Sequence, residues 1–263
     1  MKQRILSYLP GDHPWQNDLK WYNQLPSTND TAKQLAMEGA PEGTVVIAGA
    51  QSAGRGRLGR SFHAPPGLGL YFSLILRPDC KPEQLRHLTC AVAVAVCNAV
   101  QDCTGVRPQI KWTNDLIMGN KKLGGILTEL SVRQTVEWAV LGIGINCAQQ
   151  EQDFPPELRD MATSLLVSTK ATVSPQQLAA CLIRRLYEMN EILLSGKDSI
   201  MDAYRADSMT VGKQIVLIRG DEKRYGQALD IADDGGLTVR FQDGTVETVQ
   251  SGEVSVRGLY GYT

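Results

Sequence analysis

Several features that mark particular protein classes are missing from this sequence. No apolar run reaches the roughly 18 residues of a membrane-spanning helix, and residues 1–10 are too short and polar for a secretory signal. The formal charge of -1 at pH 7 gives no overall attraction to nucleic acid or to an anionic membrane. We therefore expect a cytoplasmic protein without membrane contact, in which any anion is bound by a local cluster of cations.

The cysteines and histidines are not arranged as metal ligands. The six cysteines form no C-x-x-C pair, and the three histidines show no ligand spacing with them. Cys90 and Cys97 fall on an apolar helical pattern, which is typical of buried, reduced thiols in a reducing compartment. A zinc site is therefore not expected, and we assign the histidines no catalytic role.

The most distinctive segment is an arginine-glycine loop at residues 54–60, called the Arg-Gly loop below. Arg55, Arg57 and Arg60 supply planar cations suited to carboxylate or phosphate, while the glycines allow the backbone to approach a ligand closely. The loop also contains a G-x-G-x-x-G pattern, but a dinucleotide-binding turn must open a helix. Two prolines and a glycine in residues 60–67 prevent that. The loop therefore predicts an anion site of another kind.

The pattern of apolar residues predicts the secondary structure. We expect strands at residues 45–49, 68–76, 109–118, 123–130 and 136–147, and helices at 27–39, 82–101, 175–194 and 199–206, with 164–166 ending a short helix. Short turns between successive strands favour an α+β fold, with a mixed, largely antiparallel sheet and helices on one face.

The pattern changes after residue 208. Five short β-type runs follow, separated by Gly and Asp turns, at residues 214–218, 225–231, 237–241, 245–249 and 254–256. Closely spaced short strands of this kind are typical of a small β-barrel. We therefore divide the chain into a main domain, residues 1–208, and a small C-terminal β-barrel domain, residues 209–263.

A second group of cations accompanies the Arg-Gly loop. Lys111 precedes Trp112-Thr113-Asn114-Asp115, and Lys122 lies at a turn before Gly124-Gly125. A lone lysine at a turn is usually a solvated surface charge. Here the separate segments bring cations, a carboxylate and closely approachable backbone into one predicted sheet, which favours a binding site.

These segments closely resemble those of biotin protein ligases. The resemblance runs, in that family's order and with similar spacing, through residues 27–29, 51, 54–60, 111–115, 122–127 and 142–146. It is strong over residues 25–146 and covers the rest in architecture only. It implies a catalytic fold like that of class II aminoacyl-tRNA synthetases, followed by an SH3-like β-barrel.

The resemblance implies a two-step reaction. Biotin and ATP, with Mg²⁺, form biotinoyl-5'-AMP and pyrophosphate, and a lysine of a biotin carboxyl carrier domain then takes the biotinoyl group. The implied catalytic residues are Lys122, Arg57, Asp115 and Lys111. Asp115 would either assist magnesium or accept the proton of the incoming lysine, and both roles stay open.

The resemblance also implies which residues contact each substrate. The biotin-binding set is Ser27, Thr28, Asn29, Gln51, Arg55, Gly56, Arg57 and Lys122. The ATP- and adenylate-binding set is Arg55, Arg57, Arg60, Phe62, Lys111, Asn114, Lys122 and Asn146. Phe62 stands where many relatives have a tryptophan, so stacking on adenine is kept while the indole donor is lost.

Two alternative functions are a lipoate or octanoate ligase of related fold and a non-catalytic biotin-binding regulator. The chain lacks the glycine-rich RxSGGG-type segment of the first group, and its full set of cations argues against the second. About 26 residues precede Ser27, too few for the DNA-binding domain of bifunctional members. We expect a monofunctional ligase that does not bind DNA; a homodimer is compatible with the sequence.

Overall fold

A seven-stranded sheet forms the larger part of the protein, which the computed structural model describes over residues 1–250 and 253–256. Its strands are β1 (Leu19–Tyr22), β2 (Val45–Ala48), β3 (Gly69–Leu76), β4 (Gln109–Lys111), β5 (Asp115–Met118), β6 (Lys121–Val132) and β7 (Val136–Asn146). Their order is β1-β2-β3-β7-β6-β5-β4, with β1 and β2 parallel and the other neighbours antiparallel. The predicted mixed, largely antiparallel sheet is confirmed.

Helices pack on both faces of this sheet, so the expectation of helices on one face was wrong. The helices are α1 (Lys2–Leu6), α2 (Thr28–Met37), α3 (Leu88–Thr104), α4 (Leu165–Thr169), α5 (Pro175–Ile192) and α6 (Lys197–Asp207). Along each strand, every second side chain points to one face of the sheet, and the side chains on this face form the apolar core under α3 and α5. Ala32 and Ala36 of α2 pack on the side chains of the other face, which include Val46, Ile75 and Val140. Because both faces are apolar, each must be covered.

Three predictions differ from the structure by more than the exact end of a helix or strand. The helix expected at 82–101 is a 3-10 turn, Pro82–Leu85, followed by α3; between them the His87 ring lies 2.9 Å from the Leu193 carbonyl oxygen. The run 109–118 is divided into β4 and β5 by a turn. Ser164 begins α4 rather than ending a helix, because its hydroxyl accepts a hydrogen bond from Val167 N at 3.1 Å.

The C-terminal strands form a five-stranded antiparallel sheet in the order β11-β10-β9-β8-β12, which agrees with the predicted small β-unit. They are β8 (Gln214–Arg219), β9 (Glu222–Ile231), β10 (Leu237–Phe241), β11 (Val246–Val249) and β12 (Glu253–Val256). Trp112 Nε1 donates to the Gly235 carbonyl at 2.8 Å, and Met209 N donates to Ile110 O at 3.0 Å. The two sheets are thus joined by hydrogen bonds between residues in or near their strands, and the division at residue 208 stays a prediction.

None of the helices in the described part of the chain is long and apolar enough to cross a membrane.

An ion-pair network ties α2 to β6 and to the Arg-Gly loop. Lys33 Nζ lies 3.0 Å from Asp30 Oδ1 and 2.9 Å from Glu129 Oε1, and Arg55 Nη1 lies 2.5 Å from Asp30 Oδ1. Burial raises the pKa of Asp30, but hydrogen bonds from Lys33 and Arg55 together outweigh it and hold the pKa below its usual value. The network therefore favours the ionised carboxylate in the folded state.

We predict that Asp30→Asn destabilises the protein at pH 7 but not in acid. The pKa of Asp30 is lower in the folded state than its ordinary 3.8, so its contribution is present above that value and is lost as the pH falls through the folded pKa. The expected loss at pH 7 is about 0.5 kcal/mol, since the pairs are partly solvated. Urea unfolding of both proteins at pH 7 and at a series of lower pH values measures it, and the deficit should shrink as the pH falls through the folded pKa. Asp160→Asn, at an exposed position, is the control; an equal deficit at all pH values would contradict the prediction.

Candidate functional site

A cleft lies between the Arg-Gly loop and the sheet face that carries α2, and it consists of two adjoining chambers. The first encloses about 970 Å³ and the second about 1240 Å³, in each case including space open to solvent. Both chambers are lined by Arg60, Ser61, Phe62, Lys111, Asp115 and Lys122. These six residues therefore mark the junction.

The Arg-Gly loop is a short hairpin that connects β2 to β3. Gly56 N donates to Arg60 O at 2.7 Å, and Phe62 N donates to Gly54 O at 2.8 Å. At its tip Leu58 has a φ of 57° and is 71% exposed. A leucine in the left-handed region is uncommon, and here it carries an apolar side chain into solvent beside the first chamber.

The polar end of the first chamber is built by the start of α2. Gln51 Oε1 accepts from Thr28 N at 2.7 Å and from Thr28 Oγ1 at 3.1 Å, while Ser27 caps the helix by accepting from Asp30 N at 3.4 Å. Ser73 Oγ lies 2.9 Å from Thr28 Oγ1. This linked set of hydroxyl and amide groups is held in fixed orientations, and it can offer donors and acceptors to a neutral polar ligand group.

Asn29 is used within the protein. Its Nδ2 donates to Leu127 O at 3.2 Å and to Glu129 Oε2 at 2.9 Å, and its Oδ1 accepts from Ser73 Oγ at 2.6 Å. Asn29 lines the first chamber, as expected, but these bonds occupy its amide. Its contact with biotin therefore stays a prediction, and its evident task is to fix the start of α2 on the sheet.

Alternate glycines of β7 make room for two of these side chains. A Cβ on Gly142 would lie 2.1 Å from Asn29 Oδ1, and one on Gly144 would lie 2.7 Å from the Phe62 ring. The two positions are on the same strand face, so Asn29 and Phe62 pack directly over the strand backbone. No role was predicted for these two glycines, although glycines that alternate within a strand pattern indicate a close approach of another group.

A bulge in the β5–β6 pair turns Lys122 toward the cleft. Asp115 is opposite Gly125, but the register shifts after Leu116, so that Ile117 is opposite Lys122. The extra residue, Leu123, is fully buried in the core. Because one inserted residue reverses the alternation of sides, Lys122 joins Asp115 on the cleft face. Its Nζ lies 2.6 Å from Asp115 Oδ1.

The junction is rich in positive charge. Arg60, Lys111 and Lys122 are the cations that line both chambers, and Asp115 is the carboxylate that lines both. Lys111 is only 7% exposed. The Lys122 side chain is 37% exposed, and Arg60 is exposed. An anion bound here would be attracted by three nearby cations. The arrangement is therefore suited to an anionic group at the point where the chambers meet.

The side-chain amide of Asn114 connects the tip of the Arg-Gly loop to the junction. Arg57 Nη1 donates to Asn114 Oδ1 at 3.0 Å, and Asn114 Nδ2 donates to Ile126 O at 2.8 Å. Asn114 thus fixes both the β4–β5 turn and the arginine above it. Arg57 and Asn114 both line the first chamber.

The second chamber has an aromatic wall, an amide edge and an apolar lining. Phe62 forms one side, and Asn146 is held by donating to Thr163 O at 3.0 Å and accepting from Gln149 Nε2 at 3.0 Å. The apolar part of the lining is Phe154, Leu158, Met161, Ala162 and Ile218. A flat heteroaromatic ring fits such surroundings, because its faces are apolar and its edges form hydrogen bonds.

The structure brings all predicted site residues to this cleft. Asn146 lies in the second chamber, and the others line the first. Trp112, Ile126 and Leu127 also line the cleft; they lie within the quoted motifs, but no contact was predicted for them. His63 and, from the C-terminal sheet, Ile218 and Val254 were not predicted from the sequence at all. Apolar lining residues are alike in sequence to core residues, and only the fold separates the two.

The glycine contacts yield a matched pair of predictions. Gly142→Ala should lower the free energy of unfolding by about 1–3 kcal/mol, because the new methyl overlaps the buried Asn29 amide. Gly125→Ala should leave stability nearly unchanged, since its Cβ would be 3.6 Å from its nearest neighbour, Lys122 Cε. Urea unfolding measures both, and equal stabilities for the two variants would contradict the packing argument.

Comparison with known proteins gives two family matches. Residues 21–146 match the Biotin/lipoate A/B protein ligase family, and residues 210–257 match the Biotin protein ligase C terminal domain. The bifunctional ligase/repressor BirA of Bacillus subtilis is 35% identical over 243 residues, which cover 90% of this chain and 74% of that protein. The biotin--[acetyl-CoA-carboxylase] ligase of Mycobacterium tuberculosis is 33% identical over 237 residues, which cover 88% of this chain and 86% of that protein.

Solved structures agree with these relatives. The biotin protein ligase of Aquifex aeolicus, in complex with biotin and ATP, superposes with a TM-score of 0.76 at 28% identity and covers 91% of this chain and 98% of its own. Fold, cleft and sequence similarity over most of the length therefore lead to one conclusion. The chain belongs to the biotin protein ligase family.

Proposed function

We propose that the protein activates biotin with ATP as biotinoyl-5'-AMP and then transfers the biotinoyl group to a lysine of a biotin carboxyl carrier domain. The observation that carries the proposal is the cationic junction between two chambers of different chemistry. One chamber has polar groups at its end, and the other has an aromatic wall and an amide edge. Biotin's carboxylate and the α-phosphate of ATP would meet at the junction.

Adenylate formation requires two anions to come into contact. Two unit charges 4 Å apart repel by about 4 kcal/mol at the effective dielectric constant near a protein surface. Lys122, Lys111 and Arg60 offset this repulsion and stay in place to stabilise the charge that builds up on the phosphate in the transition state. Arg57 approaches the same phosphate from the loop side.

The first chamber suits the rest of biotin. The ureido ring is neutral and has both donors and acceptors, which Ser27, Thr28 and Gln51 can satisfy at the polar end. Ile126 and Leu127 line the chamber and would contact the apolar side chain. In the second chamber, adenine would stack on Phe62, with Asn146 at the ring edge.

Asp115 would act either as a proton acceptor in the second step or as a ligand of the magnesium ion. Its hydrogen bond to Lys122 places a carboxylate at the reacting centre, where it can accept a proton from the incoming amine. Among residues 1–250 and 253–256, no group of three or more His, Cys, Asp or Glu side chains could hold a metal ion. A magnesium ion would therefore be held by the ATP phosphates, water and at most Asp115, as is common for Mg²⁺, and would neutralise phosphate charge.

We also propose a cytoplasmic location and a carrier domain of a biotin-dependent carboxylase as partner, both consistent with the family. We propose a function without DNA binding, which is consistent with the formal charge of -1. A homodimer is also compatible with the charge and the family. The lipoate or octanoate ligase remains the alternative, because one matching family includes both kinds of enzyme.

We predict that Lys122→Ala lowers the rate of adenylate formation by about 10²–10³-fold without unfolding the protein. The lost ammonium group acts on charge that develops in the transition state, and its side chain is partly exposed, so the fold does not depend on it. Pyrophosphate release with biotin and ATP measures the rate. Lys121→Ala is the matched control, because that neighbour instead donates to the Arg159 carbonyl at 2.9 Å.

The same assay tests the substrate. Biotin, lipoate and octanoate are offered separately, and we expect pyrophosphate release with biotin alone. Binding of biotin without pyrophosphate release would identify a regulator, and release with lipoate or octanoate would favour the alternative ligase. Normal turnover by Lys122→Ala would overturn the role assigned to that lysine.

We predict that Arg57→Gly retains adenylate formation but releases the intermediate at least about tenfold faster. The change removes a charged partner at the loop tip together with its bond to Asn114, and such hydrogen bonds contribute about 1.5–3 kcal/mol. Free adenylate acylates lysines indiscriminately, so labelling of a bystander protein with biotin reports the release.

Arg133→Gly serves as the control for this prediction. Arg133 lies between β6 and β7, outside the cleft, with its side chain 82% exposed. An unchanged release rate for Arg57→Gly, or equal bystander labelling by both variants, would reject the retention role.

A further inference from the structure

Two cysteines on the far side of the sheet from the cleft form a thiol pair. Cys103 is near the end of α3 and Cys181 is in α5, 78 positions later; the Cys103 thiol donates a hydrogen bond to the Cys181 sulfur, with 3.0 Å between the two Sγ atoms. Both residues are partly exposed. The other cysteines are buried, namely Cys80, Cys90, Cys97 and Cys147.

Ion pairs join the two helices next to the cysteines. Asp102, next to Cys103, accepts from Arg185 Nε and Nη2 at 2.8 Å each and from Arg184 Nη2 at 2.9 Å. These ion pairs join α3 to α5 beside the sulfur atoms. A disulfide bond is about 2.05 Å long, so the pair needs to close by only about 1 Å to form one.

The two thiols differ in reactivity. The hydrogen bond from Cys103, aided by Arg184, lowers the pKa of Cys181 to about 7, whereas the same bond and burial raise the pKa of Cys103. The order of the two pKa values favours Cys181 as the thiolate of the pair. Burial raises the pKa of Cys90 and of Cys147 to about 12, which leaves those thiols unreactive.

We propose that Cys103 and Cys181 are a site of reversible disulfide formation with small-molecule disulfides of the glutathione class. The Cys181 thiolate attacks one sulfur of the small disulfide, a mixed disulfide forms and a first small thiolate leaves, which takes up the Cys103 proton. The Cys103 thiolate then attacks the Cys181 sulfur and expels the second small thiolate, which takes up from the solvent a proton equivalent to the one that Cys181 lost on ionising. Two protein thiols are oxidised to one disulfide, and one small disulfide is reduced to two thiols.

The bond would act on stability rather than on the reaction. It links α3 to α5, which cover the sheet face opposite the cleft, and it closes a long loop, which restricts the unfolded chain. In a reducing compartment such bonds are transient and report oxidising conditions. The pair thus gives the catalytic domain a redox-dependent cross-link that lies away from the ligands.

The test uses the full-length protein and glutathione disulfide. After incubation at pH 7.5, acid quenching, alkylation and digestion, mass spectrometry should find Cys103 cross-linked to Cys181 as the main product, and dithiothreitol should reverse it. The oxidised protein should unfold at a temperature higher by on the order of 5 °C, with unchanged pyrophosphate release. No cross-link, or a cross-link between another pair, would overturn the proposal.

Serine variants separate the two thiols. Cys103→Ser should stop at one glutathione adduct on Cys181, because the serine hydroxyl can still donate to the thiolate. Cys181→Ser should leave Cys103 at least about tenfold less reactive. Adducts forming at equal rates in the two variants would reject Cys181 as the attacking thiol. Thermal unfolding of the reduced variants checks that both are folded.

Discussion

The need to hold two anions in contact constrains most of the cleft. Cations must be gathered at one point, yet they repel each other and resist burial, so each must be fixed by the fold. Lys122 depends on a β-bulge that turns it to the cleft face, where Asp115 partly neutralises it. Lys111 comes from β4, where it is opposite Asp115 of β5, and Arg60 comes from the Arg-Gly loop. Three separate chain segments therefore have to be in register before the site exists.

The Arg-Gly loop is held from several sides. Arg55 is paired with Asp30 of α2 and lies near Glu129 of β6, and Arg57 is bonded to Asn114. Partly solvated ion pairs such as these are weak individually and are exchanged readily for pairs with a ligand. The loop can therefore be ordered in the described conformation and still rearrange around a negatively charged intermediate, which would protect an activated anhydride from water.

The sequence predicted most of the sheet and the position of the site, because these follow from local patterns. Alternating apolar runs mark strands such as β3 and β7, and the charged segments mark the cleft. What the sequence did not predict depends on distant contacts: the division of residues 109–118 by the turn that carries Asn114, the bulge at Leu123 and the placing of α2 on the second sheet face. The ligand contacts of individual residues remain predictions, as Asn29 illustrates, because its bonds lie within the protein.

The two faces of the seven-stranded sheet have different roles: one contributes most of the stability, and the other carries the cleft. The face under α3 and α5 is packed continuously with apolar side chains, so it can carry the free energy of folding. The opposite face gives up apolar contact at Gly142 and Gly144, and it buries Asn29, Ser73 and Lys111, which are costly unless bonded. A disulfide between α3 and α5 would therefore stabilise the sheet face that does not contact the ligands.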